Sequence, residues 1–317
     1  MQVRTLEFQK HGRLSIIQLL TAQQNTLDYI SGPSAIKSDL IQVKEVSESG
    51  SVNNLFVYNL SDKYVFFMDG DILVGAKQNR VLNTSVLLVP NSKTTLPVSC
   101  VEQGRWRHTS TMFRDSDYIT PQKLRADKSR NVSNNLRTRS QFDAGQSKVW
   151  KNVEDYQMFF KVASPTMNLS DVYAKEEKNF DQFTKNFNLN NDANGIILFV
   201  DKKVLNVEVF NRTDIYAEYF PKIIKSAAME IFHLDKKDND LTEVEAIYKM
   251  QSMFDTIDTI PKTKHKGVAA GEEERFDSKD MTGFELKFKD HLVHLTALNI
   301  EKDADTNDYG NRRNRIY

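Results

Sequence analysis

The chain has 317 residues, enough for one large domain or two ordinary ones, each with a core of useful size. Its 39% hydrophobic and 27% charged residues are those of a water-soluble globular protein, and Lys+Arg balance Asp+Glu at 43 each, so no global field announces nucleic acid or an anionic membrane as partner. The single cysteine, Cys100, excludes an intrachain disulfide and any multi-thiolate metal site. No stretch approaches the roughly 18–20 apolar residues of a membrane-spanning helix, and the charged N-terminal stretch has no signal-peptide run, so the expected location is the cytoplasm. Charge is unevenly placed: basic residues outnumber acidic ones between Arg105 and Lys151, and residues 235–258 lean acidic.

Residues 13–20 and 40–46 are short and rich in branched side chains, which predicts two strands on either side of the turn signal Ser31-Gly32-Pro33-Ser34. Leu55–Leu60 and Tyr64–Met68 flank Ser61-Asp62-Lys63 at the spacing of a hairpin. Asp69-Gly70-Asp71 is a further turn, followed by strand residues Ile72–Val74. Val81–Val89 and Thr95–Val101 are two more predicted strands, separated by Pro90-Asn91-Ser92-Lys93. Short strands so closely spaced predict an antiparallel, β-rich sandwich or barrel-like part over residues 1–106.

The pattern then changes. Residues 107–144 are polar and basic, carrying Lys123, Arg125, Lys128, Arg130, Arg137 and Arg139, and read as an exposed linker or as a flap closing over an anionic ligand. Val149, Val153, Tyr156 and Phe160 recur at helical spacing, as do Val172, Phe180, Phe183 and Phe187 after Ser170 as N-cap. Asn194–Val200 and Val204–Phe210 form a second hairpin. Thr213 then caps a helix through Phe232 that contains Pro221, and Thr242 with Glu245 has the capping-box pattern of another helix. Lys262–Gly271 reads as a loop, Glu272-Glu273-Glu274 as a solvated acidic turn, and Phe284–Lys289 with Leu292–Asn299 as a closing strand pair. The predicted fold class is therefore α+β: the β-rich part, then a helix-rich part with its own small sheet over residues 145–302, and a polar tail at 303–317.

Two polar segments, Lys77-Gln78-Asn79-Arg80 and Cys100-Val101-Glu102-Gln103-Gly104-Arg105-Trp106, concentrate the groups that bind ligands. Lys77, Arg80 and Arg105 suit an anion clamp, because the guanidinium fork matches phosphate or carboxylate and the ammonium adds a point charge. Trp106 offers a face for a base or sugar. Cys100 and Glu102 alternate along a predicted strand and so share a face. Either the thiol is a nucleophile and the carboxylate a base, or the cysteine is buried and the glutamate pairs with an arginine. No Walker A and no strand-borne G-x-G-x-x-G is present. His291 and His294 fall on opposite faces of a strand, so no metal is assigned, and no cofactor either.

Gly75-Ala76-Lys77-Gln78-Asn79-Arg80 and Pro97-Val98-Ser99-Cys100-Val101-Glu102-Gln103-Gly104-Arg105-Trp106 resemble the signature of a bacterial family named for its genomic association with ADP-ribosylglycohydrolases and rhodanese-phosphatases. The resemblance is strongest over residues 55–106 and continues through Gly195–Phe210, Tyr219–Ala228 and Val293–Leu295. It implies a link to NAD or ADP-ribose metabolism, and carries Lys77, Gln78, Arg80, Cys100, Glu102, Arg105 and Trp106 over as candidate site residues. Two readings follow. In one the chain is an enzyme acting on a phosphate-bearing, ADP-ribose-like small molecule, with Glu102 and Cys100 catalytic and Lys77, Gln78, Arg80, Arg105 and Trp106 binding. In the other it is a non-catalytic ligand-binding or scaffold protein whose signature is a structural salt-bridge network.

Overall fold

Residues 1–47 and 53–300 are described by a computed structural model; the polar tail expected at 303–317 lies outside them. Strands β1 (Val3–His11) and β2 (Leu14–Thr21) form a hairpin turned by Gly12 at φ +56°. Then come β3 (Tyr29–Ser31), the short helix α1 (Gly32–Lys37) capped by Ser31, β4 (Ile41–Glu45) and β5 (Asn54–Asn59). The signature region supplies β6 (Tyr64–Phe67), β7 (Asp71–Gly75), β8 (Arg80–Leu82), β9 (Val86–Leu88) and β10 (Ser92–Cys100). Strand β11 (Phe113–Ile119) leads into helices α2 (Gln122–Arg139), α3 (Gln146–Phe159) and α4 (Leu169–Thr184). The hairpin β12 (Gly195–Val200) and β13 (Lys203–Phe210) precedes α5 (Thr213–Ile231) and α6 (Glu243–Thr259). Four strands close the described chain: β14 (Thr263–Lys266), β15 (Glu272–Asp277), β16 (Met281–Phe288) and β17 (His291–Asn299).

The architecture is α+β. Three sheets form, in the orders β1-β2-β12-β13-β17-β16-β15-β14, β11-β7-β8-β10-β5-β4 and β3-β6-β9. Pairing is antiparallel throughout the two larger ones, and β3 with β6 is parallel. The sheet expected to be small and confined to the C-terminal part has eight strands and takes β1 and β2 from the N-terminus. The reason lies in β2, where Leu14, Ile16, Ile17 and Leu19 are all fully buried, on both faces of the strand. Each such side chain contributes about 1.5–3 kcal/mol by leaving water, so β2 belongs in the middle of a covered sheet. Helix α5 covers one face through Ile215, Tyr219 and Ile223; α6 covers the other through Ala246, Met250 and Phe254. Helices α2, α3 and α4 pack over the six-stranded sheet, against Ile72, Val81 and Val101.

Local expectations fare unevenly. The capping box of Thr242 and Glu245 forms, while α4 is capped by Asn168 and not Ser170, and α5 begins after Arg212 with no side-chain cap. The hairpin expected between Leu55–Leu60 and Tyr64–Met68 does not form, because β5 and β6 belong to different sheets. The Asn59 amide makes the crossing, donating to Lys63 O at 2.8 Å and Val89 O at 3.0 Å. The single strand expected at Val81–Val89 splits into β8 and β9 for a similar reason. Its middle residues turn to polar partners: Asn83 donates to Phe142 O at 2.9 Å and Thr84 to Glu273 at 2.7 Å. Glu273 in turn is wholly buried on β15, paired with Arg275, where an acidic surface turn was expected.

Candidate functional site

Strands β8 and β10 pair so that Cys100 lies opposite Arg80. The guanidinium donates to the Cys100 sulfur and, at 3.1 Å, to Gln78 Oε1; Glu45 Oε1 stands 3.5 Å from Nη2. Arg80 is fully buried, and its Cζ lies over Trp106 at 5.6 Å from the ring centroid, with Lys77 Nζ at 5.4 Å. Trp106 itself is 47% exposed, so the indole has surface open to solvent beside two cations.

The second cluster adjoins the first. Strand β10 ends at Cys100, so the expected alternation does not reach Glu102, which bridges to Asn168 instead. Its carboxylate receives Arg105 Nε at 2.8 Å and Thr166 Oγ1 at 3.0 Å on one oxygen, and Arg105 Nη2 at 2.7 Å and the Asn79 amide at 3.1 Å on the other. The remaining Arg105 donors reach Ala76 O at 2.7 Å, Arg107 O at 3.1 Å, Thr109 Oγ1 at 3.1 Å and Asn79 Oδ1 at 3.2 Å. The guanidinium fork therefore closes on Glu102 and on the loop after Trp106. Gly75 makes that closure fit: at φ +128°, an added Cβ would stand 2.5 Å from Ser110 Oγ and 3.0 Å from Met112 O. Gln78 ties the two clusters by donating to Gln103 O at 3.2 Å.

The surroundings of Cys100 work against nucleophilic chemistry. Burial pushes the thiol up to about 11, with Arg80 opposing the rise and the Glu45 charge adding to it. In the folded protein Cys100 is expected to stay unmodified by a small disulfide reagent at mildly alkaline pH and to titrate fully once urea unfolds the chain. Rapid labelling of the native protein would contradict its burial.

Two further constellations escaped the sequence reading. The first lies inside the molecule. Arg125, from the segment read as a linker or flap, is fully buried between Glu208 at 2.6 Å and Asp69 at 3.2 Å, and also donates to Thr296 at 3.1 Å. Lys128, one helical turn further along α2, meets Asp69 at 3.0 Å. His294 Nε2 lies 3.0 Å from Glu208, and its Nδ1 lies 3.0 Å from Ser85. Burial opposes ionisation of Glu208, yet Arg125 and His294 hold its carboxyl below the usual range. The basic residues 125 and 128 thus serve the core and not a closing flap; Arg130 and Arg137 remain nearer the surface, beside Asp277.

The second borders solvent. Lys222 of α5 grips both oxygens of Asp115, at 3.0 and 2.8 Å, at the edge of a cleft of about 880 Å³ between α1, β4, β11 and α5. A register shift in β11 between Asp115 and Ile119 sets the angle of that carboxyl, as bulges next to sites do. The one signal in the sequence was an acidic residue inside a basic segment, which says nothing of its partner.

Among the described residues no group of three His, Cys, Asp or Glu is arranged to hold a metal ion, and no helix is long and apolar enough to cross a membrane.

Fold and site together define an antiparallel α+β protein whose signature motif is a closed charge and hydrogen-bond network under a half-exposed tryptophan. Residues 2–298 match the ARG and Rhodanese-Phosphatase-superfamily-associated Protein domain, ARPP-1, and the chain belongs to that family. No curated protein and no solved structure is significantly similar to it.

Proposed function

We propose that the chain binds a phosphate-bearing, ADP-ribose-like small molecule without transforming it, and that its signature motif is the structural network that shapes the binding face. The family name associates these domains with ARG and rhodanese-phosphatase proteins; reading ARG as ADP-ribosylglycohydrolase supplies the ligand class. The observation that carries the reading is the division of labour in the signature. Glu102 and Arg105 are committed to each other and to the backbone around them, which leaves the half-exposed Trp106, with the Lys77 ammonium 5.4 Å from its ring centroid, as the face that meets a ligand. A carboxylate already accepting four donors is poorly placed to take a substrate proton, and a buried thiol held protonated is poorly placed to attack. Binding, not turnover at Glu102 or Cys100, is the function this geometry supports best.

Calorimetry with ADP-ribose tests it. The expected result is binding by the wild type and a loss of about fivefold or more in Trp106→Ala, since stacking a base on an aromatic ring contributes roughly 1–3 kcal/mol. Absence of binding at millimolar ADP-ribose, or equal affinity in the variant, overturns the reading. Release of product in the calorimeter cell would restore the enzyme reading instead.

A further inference from the structure

We propose that the cleft between α1, β4, β11 and α5 is a second small-molecule site, built for a hydroxyl-bearing phosphate ester, in which the Asp115–Lys222 pair takes the hydroxyls and Lys37 and Arg114 take the phosphate. The inference stands apart from the Trp106 face and uses none of its residues.

The cleft has the size of a small-molecule site, about 880 Å³ against the roughly 300–1,000 Å³ usual for such pockets. Its wall carries a charge pair that is not closed on itself. Lys222 has three donors and directs two contacts at Asp115, at 3.0 and 2.8 Å, while the carboxylate keeps further lone-pair positions. A hydroxyl both donates and accepts, so it can address both partners at once. Lys37 and Arg114 are exposed at the same cleft and make no ion pair among the described residues. A phosphate group gives these cations the partner they lack.

Behind the pair lies Asp71, wholly buried on β7. Its Oδ2 accepts from Tyr219 Oη at 2.6 Å and the Met68 amide at 2.8 Å, and its Oδ1 has no hydrogen-bond partner among the described residues. Lys222 therefore answers to two carboxylates. Burial pushes Asp115 up to about 7; Lys222 opposes that rise and the charge of Asp71 adds to it. The other charged groups facing the pair are Glu218, held by Ser31 and Ser34, Lys225, held by Asp181 at 2.8 Å, and the exposed Asp39 and Asp117.

A consequence follows that simple surface binding would not show. The lining charges are balanced, so a phosphate held on Lys37 and Arg114 brings net negative charge to the cleft. In that field the Asp115 carboxyl gains affinity for a proton. Binding of the ester should therefore draw a proton from the buffer at neutral to slightly alkaline pH.

Titrating the full chain with glucose 6-phosphate, in two buffers of different ionisation enthalpy, reads both affinity and proton uptake. Binding accompanied by net uptake is expected. The exposed double variant Lys37→Glu with Arg114→Glu should weaken binding by at least about tenfold, or ~1.4 kcal/mol. Asp115→Asn should bind more weakly, having lost the carboxylate that takes the hydroxyls, and take up no proton, with circular dichroism confirming the fold; Trp106→Ala should bind as wild type does. No heat at millimolar ester, unchanged affinity in the double charge reversal, or uptake persisting in Asp115→Asn overturns the proposal. Equal affinity for inorganic phosphate overturns the hydroxyl half of it. Loss of binding in Trp106→Ala would likewise move the ester to the other face.

Discussion

Replacing Arg125 by methionine is expected to destabilise the folded chain by about 3–5 kcal/mol, the usual cost of removing one partner from a buried ion network. The magnitude follows from what is left behind. Asp69 and Glu208 are both fully buried; Asp69 would keep Lys128, while Glu208 would keep only His294, Asn206 and Thr296. Water cannot reach either carboxylate, so the desolvation that Arg125 now offsets would be felt in full. Urea unfolding followed by circular dichroism measures the change as a shift in midpoint. Because the cost lies in orphaned charge, exchanging Arg125, Asp69, Lys128 and Glu208 together for apolar residues of similar volume should be far milder than four separate losses would suggest. If Arg125→Met unfolds at the wild-type midpoint, the network contributes little and its members are solvated in solution.

The signature pair should respond in the same way. Arg105→Ala is expected to cost about 3–5 kcal/mol, because Glu102 stays buried with only the Asn79 amide and the Thr166 hydroxyl as donors. Glu102→Ala strands the guanidinium less severely, since Arg105 keeps Ala76 O, Arg107 O and Thr109. The double variant should be clearly more stable than the sum of the two losses predicts, with a coupling of roughly 1–3 kcal/mol. Strict additivity would mean that the two residues act separately and that the signature is not one network. The pair also holds the loop from Arg107 to Ser110, the last of which borders the Asp115 cleft. Weakening the pair should therefore speed tryptic cleavage after Arg107 at temperatures where the fold is intact.

How much of this was legible beforehand depends on the range of the interaction. Many signals within a few residues of each other survive into the structure, although the hairpin expected at Leu55–Met68 and the caps expected at Ser170 and Thr213 do not. Thr242 and Glu245 form their capping box, the hairpin of β12 and β13 appears where Asp201-Lys202-Lys203 interrupts two apolar runs, and β16 pairs with β17. The α+β class follows from the same short-range patterns, since periods of two and of about 3.6 residues are local properties of the backbone. The meeting of Arg80 with Cys100 was only partly within reach: their strands are near neighbours in sequence, but the segment between them leaves the sheet to form β9.

What the chain order could not show is which distant surfaces share a core. The strand β2 pairs with β12, and Arg125 meets Glu208 across a separation of 83 residues. A basic side chain in a polar stretch looks like a solvated one. Only the tertiary structure, by setting Asp69 in the turn between β6 and β7 and Glu208 on β13 beneath α2, makes burial of Arg125 and Lys128 cheaper than exposure. The same holds for Asp115, whose character is decided by Lys222 on α5 and Asp71 on β7. Composition determined that these groups exist; their charge state and accessibility belong to the packing, because the energy of a charge depends on what replaces water around it.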